Sequence, residues 1–175
     1  MRFVKSVVAF VFACSSATAY AQEVNKGDAE VMGFVGGVTD GGGATFGGGV
    51  HYAFSPRLLL AVEAGYLTGS EDFSGFGVDV DSYGFSFDVN LHYLFPQTNT
   101  PKFTPYVLAG VGYLRAKATA TVDGMDFDAT ASDTGLNIGA GARWQVGSRW
   151  GLRPEIKVLI ADNSSVRFAV GIYRR

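Results

Sequence analysis

Cysteine is almost missing from this chain: Cys14 is the only one among 175 residues, so no intramolecular disulfide can form and the small disulfide-stapled scaffolds are excluded. Charge is scarce too. Asp, Glu, Lys and Arg make up 17% of the residues, against about 25% in an ordinary soluble domain. The net charge of -2 gives no basic surface for nucleic acid. Long apolar runs are also lacking. The longest candidate, residues 4–13, carries Lys5 and is about half the roughly 20 residues that a spanning helix needs. What the chain has in quantity is glycine, 24 residues, and aromatic side chains, 14%. The length leaves room for one domain.

The N-terminus reads as a secretory signal: basic Arg2 and Lys5, an apolar centre over residues 7–13, and the small-x-small site Ala19-Tyr20-Ala21 before Gln22. Residues 1–21 are therefore expected to be cleaved, leaving 22–175 as the folded domain, with no cysteine. A competing reading takes Cys14 as a lipidation site, but bulky Phe12 stands where such signals favour a small or β-branched residue.

Beyond Ala21 there is no helical period, and a period of two recurs. It is clearest in the fourth segment, where Tyr83, Phe85, Phe87, Val89, Leu91, Tyr93 and Phe95 alternate with Ser82, Gly84, Ser86, Asp88, Asn90 and His92. Seven other segments follow the rule, each bounded by turn-forming residues. Their apolar faces are Met32, Phe34 and Val38; Phe46, Val50, Tyr52 and Phe54; and Leu58, Leu60, Val62, Ala64 and Tyr66. After the fourth come Val107, Ala109, Val111 and Tyr113; Leu136, Ile138, Ala140, Ala142, Trp144 and Val146; Trp150, Leu152, Ile156, Val158 and Ile160; and Val166, Phe168, Val170 and Ile172. None of these positions, about forty, is charged, as lipid contact requires, since Arg or Lys at mid-bilayer costs about 2–4 kcal/mol. The expected fold is all-β: an eight-stranded antiparallel up-and-down transmembrane barrel.

Connection lengths fit a meander. Residues 55–57, 96–102 and 147–149 form the shorter turns at one end, and loops 39–43, 68–79, 117–134 and 161–164 lie at the other. Directly paired residues share a face. Val146 therefore faces lipid opposite Trp150 only with an odd number of residues between them, which keeps Arg153, Glu155 and Lys157 out of lipid. The other face decides which way the apolar side points. Gly47, Gly49, Ala61, Gly65, Gly84, Ser86, Gly110, Gly112, Gly139, Gly141, Ala169 and Gly171 suit the crowded interior of an eight-stranded barrel, not the water-facing exterior of a soluble one. Aromatic girdles are expected from Phe54, Tyr93, Phe95, Trp144 and Trp150 near the short turns, and from Tyr66, Tyr83 and Tyr113 near the long loops.

Several stretches carry a family resemblance: residues 104–113 (TPYVLAGVGY), 135–143 (GLNIGAGAR), 152–155 (LRPE) and the closing 168–173 (FAVGIY). In order and spacing, over the whole chain after the signal, they resemble the small eight-stranded outer-membrane β-barrels, similar to the transmembrane domain of outer-membrane protein A. The resemblance implies a porin-like barrel in the outer membrane of a Gram-negative envelope. Its implied partners are membrane lipid, lipopolysaccharide and the barrel-assembly machinery. The family usually finishes on an aromatic residue, whereas this chain ends Tyr173-Arg174-Arg175, and no peptidoglycan-binding module is expected after the barrel.

Lumen-side charges nearly balance: Glu63, Asp88 and Glu155 against Arg143, Arg153, Lys157 and Arg167, with His51 and His92 nearby. The expectation is a structural network that plugs the interior, because unpaired buried charge is costly. The alternative is a narrow pore. No enzyme is expected: Ser86 and His92 share a face but lie about 20 Å apart along a strand. No cofactor or specific metal site is expected either. The long-loop end is acidic, with Asp40, Glu71, Asp72, Asp79, Asp81, Asp123, Asp126, Asp128, Asp133 and Asp162 against only Arg115 and Lys117. Those carboxylates suit solvation, or divalent ions bridging to lipopolysaccharide phosphates. Function is expected to be structural, supporting envelope integrity, or else adhesive through loops 68–79 and 117–134.

Overall fold

A computed structural model describes residues 24–39, 43–73, 78–95, 103–122 and 125–175, with backbone only at strand positions 70–73, 78–81, 120–122 and 125–126. The signal segment, its cleavage site, Asp40 and Asp123 lie outside the described residues. The chain forms eight strands: β1 Ala29–Val38, β2 Gly43–Ser55, β3 Leu58–Phe73, β4 Val78–Leu94, β5 Phe103–Val122, β6 Met125–Gln145, β7 Trp150–Ile160 and β8 Ser165–Arg174. Each pairs antiparallel with its sequence neighbours, and β8 closes on β1. Closure leaves no open sheet edge around the barrel wall itself, which the bilayer demands.

The register fixes the strand tilt. Stepping through paired residues from Ala29 to Tyr52, Leu60, Leu91, Ala109, Ile138, Val158 and Val166 returns to β1 at Thr39, ten residues past the start. That stagger is about 33 Å against a sheet width of about 38 Å measured across the eight strands, so the strands incline by about 40°. At that tilt the ten residue steps from Tyr83 to Tyr93 climb about 25 Å, the height of a membrane's apolar band.

The apolar faces of β2 to β8 point outward; Phe85 is 61% exposed and Phe168 53%. The first strand is inverted relative to the sequence reading. Val31 and Val35 face out at 58% and 65%, while Met32 and Phe34 are buried inside at 7% and 4%. Register gives the reason: Val31 pairs with Val50 and Val35 with Phe46, so the outward face of β2 takes the valines as neighbours. Inside, the Phe34 ring fills the hollow left by Gly47 and Gly65. A Cβ on Gly47 would run into that ring and the Ala64 carbonyl.

The segments read as long loops are also mostly strand. β3 and β4 stay paired out to Phe73 and Val78, and β5 and β6 out to Val122 and Met125. Alternation of Asp, Thr and Ala disguised these stretches, since their solvent-facing sheet carries no apolar stripe to read.

The lumen is layered. Near the short turns Val24, Ala53, Leu59, Leu94, Tyr106 and Leu108 form an apolar cluster. A second cluster of Met32, Phe34, Ala169 and Tyr173 lines the wall of β1 and β8. Towards the long hairpins a cavity of about 210 Å³ is lined by Val38, Leu67, Ser82, Leu114, Asp133 and Asn163 among others. Between the two ends lies the polar layer.

Candidate functional site: the ion-paired lumen

Strand alternation aims Glu63 of β3, Asp88 of β4, Arg153, Glu155 and Lys157 of β7, and Arg167 of β8 into one layer. All six are at most 7% exposed. Glu63 is the hub. One carboxylate oxygen accepts a short hydrogen bond from Arg153, and the other accepts from Arg167 Nη2 at 2.8 Å. Arg167 also donates to Glu155 at 3.1 Å and to Asp88 at 3.4 Å. Lys157 Nζ donates to Asp88 at 2.6 Å and stands 3.7 Å from Glu63. Arg153 lies 3.5 Å from Glu155 and contacts the His51 ring at 2.8 Å. Three cations therefore face three carboxylates, and the layer is neutral as a whole.

Neutral groups complete it. Tyr106 donates its hydroxyl to Glu155 at 2.7 Å and stacks on His92 with ring centroids 4.9 Å apart. Asn137 donates to Asp88 at 2.8 Å and to Asn90 at 2.9 Å. Arg167 also lies over the Phe34 ring at 4.5 Å.

Arg143 is not brought into this layer. It pairs with Glu30 at 2.6 Å, a carboxylate that also accepts from Arg175, and it rests 4.3 Å over the Tyr173 ring. Glu30, Tyr106, Asn90 and Asn137 are the members that sequence reasoning missed. Glu30 was legible: it shares the face of Met32 and Phe34, so a carboxylate marked that face as the inner one.

One ligand atom each from Glu63, His92 and Glu155 comes within 4.8 Å of the others, a spacing that could hold a metal ion. Arg153 already answers both carboxylates there, so its guanidinium takes the cation's place. A smaller cavity of about 40 Å³ reaches Asp88, Lys157 and Arg167 from the long-hairpin side. Both cavities thus lie on the long-hairpin side of the lumen, the smaller one ending on the ionic layer. Ser86 lines that cavity, whereas His92 is stacked lower down on Tyr106.

The girdle residues all sit on the outer wall. Phe54, Tyr83, Tyr93, Phe95, Tyr113 and Trp150 are 39% to 49% exposed, and Tyr66 and Trp144 are half-buried. Tyr66 packs between Phe46 and Phe85, at centroid distances of 5.5 and 5.1 Å. Beyond the upper girdle, Lys117 meets Asp128 at 2.6 Å, and Thr119 donates to the same carboxylate at 2.8 Å. The hydrogen bond from Lys117 holds Asp128 below the ordinary aspartate value, and its counterpart raises Lys117 above the usual lysine value.

The fold is shared with solved outer-membrane barrels at low identity. The N-terminal β-barrel domain of Pseudomonas aeruginosa OprF is similar at 15% identity and a TM-score of 0.60, covering 85% of this chain and 97% of that one. The attachment invasion locus protein Ail of Yersinia pestis gives 16% and 0.60, over 86% and 99%. Neisserial surface protein A gives 15% and 0.57, over 83% and 94%. A sequence search of curated proteins finds no match. The outer membrane protein beta-barrel domain profile matches residues 6–171, nearly the whole sequence, and the chain therefore belongs to that outer-membrane barrel family.

Proposed function

We propose that this protein is a structural barrel of the outer membrane, exported by its N-terminal signal, with its short turns in the periplasm and its long hairpins outside. It supports envelope integrity rather than solute passage. The observation that carries this reading is the neutral ionic layer across the lumen, in which each buried charge is engaged by opposite charge. Its three cations and three carboxylates are engaged with one another, so no net charge is left over there to select or relay a solute. A pore wide enough for hydrated solutes is associated with about 16–18 strands. The polar lumen residues hold one another, which supports a structural role over a catalytic one.

Envelope assays test this. A strain lacking the protein should become more sensitive to bile-type detergents and large apolar antibiotics, with wild-type resistance restored by the intact gene. Uptake of small hydrophilic solutes should not change with expression level. Unchanged detergent sensitivity together with expression-dependent uptake would refute the reading.

A second reading, adhesion, is favoured by one feature. β7 pairs with β6 only from Leu136 and β2 with β3 only to Thr68, so β3 to β6 continue past the rim as an open four-stranded sheet. The β6 edge there is unpaired on one side, and exposed edges template pairing with another chain. Trimming residues 68–79 and 117–134 should abolish cell binding while leaving envelope integrity intact, if adhesion is the role.

A further inference from the structure

The long-hairpin end carries almost no positive charge. In segments 39–46, 67–84, 114–135 and 161–165 the only Lys or Arg residues are Arg115 and Lys117. Both lie on β5 with the outward parity of Val111 and Tyr113, so they continue the lipid-facing wall and are not in the lumen. Arg115 is exposed and stands two residues past the girdle residue Tyr113, about 5 Å higher at the barrel's tilt. In register, Arg115 is flanked by Phe85 of β4 and Ser132 of β6, and Lys117 by Tyr83 and Thr130. Thr134 lies beside Tyr113. Two cations thus sit next to an exposed column of hydroxyls, Thr130, Ser132 and Thr134, at the upper border of the apolar band.

We propose that this patch binds the phosphate groups of a phosphorylated glycolipid in the outer leaflet, through Arg115 and Lys117 with the β6 hydroxyls as further donors. The wall below it favours a lipid over a soluble anion. Phe85, Phe87, Val111 and Leu136 are half exposed or more and lie in register directly beneath or beside the cations, so acyl chains can run down them while the headgroup meets the charge. Arginine suits this position because its stem packs along apolar surface while the guanidinium reaches up to an anion. Asp128 holds Lys117 at 2.6 Å with 54% of its own side chain exposed. It competes with the lipid phosphate for that cation. The inference rests on the proposed orientation, with the long hairpins outside.

Native mass spectrometry of the full-length barrel in detergent micelles tests it, using diphosphorylated lipid A, the same lipid dephosphorylated, and inorganic phosphate as probes. Wild type should retain the diphosphorylated lipid preferentially. The double variant Arg115→Gln/Lys117→Gln should bind it at least about tenfold more weakly, the loss expected for charge-assisted hydrogen bonds. Asp128→Asn, which releases Lys117, should tighten binding about threefold, the scale of an exposed ion pair. A control pair at the other end, Arg149→Gln/Arg174→Gln, should bind as wild type does. Folding of each variant is checked by heat-modifiable gel mobility. Equal retention of the dephosphorylated lipid, or unchanged binding by the Arg115/Lys117 variant, would overturn the site. Displacement of the lipid by equimolar inorganic phosphate would make it a free-anion site and overturn the lipid assignment. Orientation is read separately, by labelling Asn163→Cys on intact cells with an impermeant maleimide against a wild-type background. Unlabelled cells would overturn the orientation and the outer-leaflet occupant with it, whereas labelled cells with phosphate-blind binding would overturn the patch alone.

Discussion

Glu63 is the residue on which the ionic layer turns, and Glu63→Ala is the perturbation that exposes its weight. The change removes the acceptor for Arg153 and Arg167 and the nearby counter-charge of Lys157, leaving three buried cations against Asp88 and Glu155. Removing one partner of a buried pair costs about 3–5 kcal/mol, because the remaining charge stays desolvated. Here the low end applies, since Arg167 keeps Glu155 and Asp88 at 3.1 and 3.4 Å and Arg153 keeps Glu155 at 3.5 Å. A loss of about 3 kcal/mol at a urea slope of about 2 kcal/mol/M lowers the midpoint by about 1.5 M. Urea unfolding in lipid vesicles, followed by heat-modifiable mobility and tryptophan fluorescence, measures it. The double variant Glu63→Leu/Arg153→Leu restores neutrality, two cations against two carboxylates, and should recover most of the loss. A single-variant loss below about 1 kcal/mol, the range of exposed ion pairs, would mean that water screens the lumen. A double variant as unstable as the sum of its parts would refute the charge-balance reasoning.

Other expectations follow from particular contacts. Phe34→Ala empties the hollow beneath Arg167 and should cost about 3–5 kcal/mol in the same unfolding assay, as for other buried aromatic truncations; a loss below about 1 kcal/mol would place the ring outside the packed wall. Nitroxide labels at Val31 and Met32 should differ in electron paramagnetic resonance, the first relaxed by lipid-dissolved oxygen and the second shielded, and the reverse order would refute the inversion of β1 and put Met32 outward. Asp128 should titrate below the ordinary aspartate value by carbon NMR, and Lys117→Gln should raise its midpoint. Because its value is depressed in the folded protein, the Lys117 pair is intact above the usual aspartate range and is lost as pH falls through the lowered midpoint.

The barrel was legible because its period-two pattern is enforced twice, by lipid outside and by crowding inside. Charges at Glu63, Asp88, Arg153, Glu155, Lys157 and Arg167 could be assigned inward from alternation alone. Their pairing could not, since the β3–β4 hairpin meets the β7–β8 hairpin only through closure of the sheet. Arg143 shows the limit: it shares the face of the others, yet its depth pairs it with Glu30 instead. β1 failed for a different reason. Past Glu30 its two faces, Val31 and Val35 against Met32 and Phe34, are both apolar, and the glycines opposite Phe34 leave room for a large side chain inside the barrel. The extended hairpins escaped notice because strand pairing beyond the membrane leaves no hydrophobic stripe, only the backbone ladder from Lys117 and Thr130 out to Val122 and Met125.

Planar-bilayer recording of the refolded, full-length protein asks the most direct question of a barrel closed by its own charges. Wild type should show no sustained, well-defined open level at physiological salt. Long-lived channels of uniform conductance in the wild-type protein would contradict a lumen shut by Glu63, Asp88 and Glu155 with Arg153, Lys157 and Arg167.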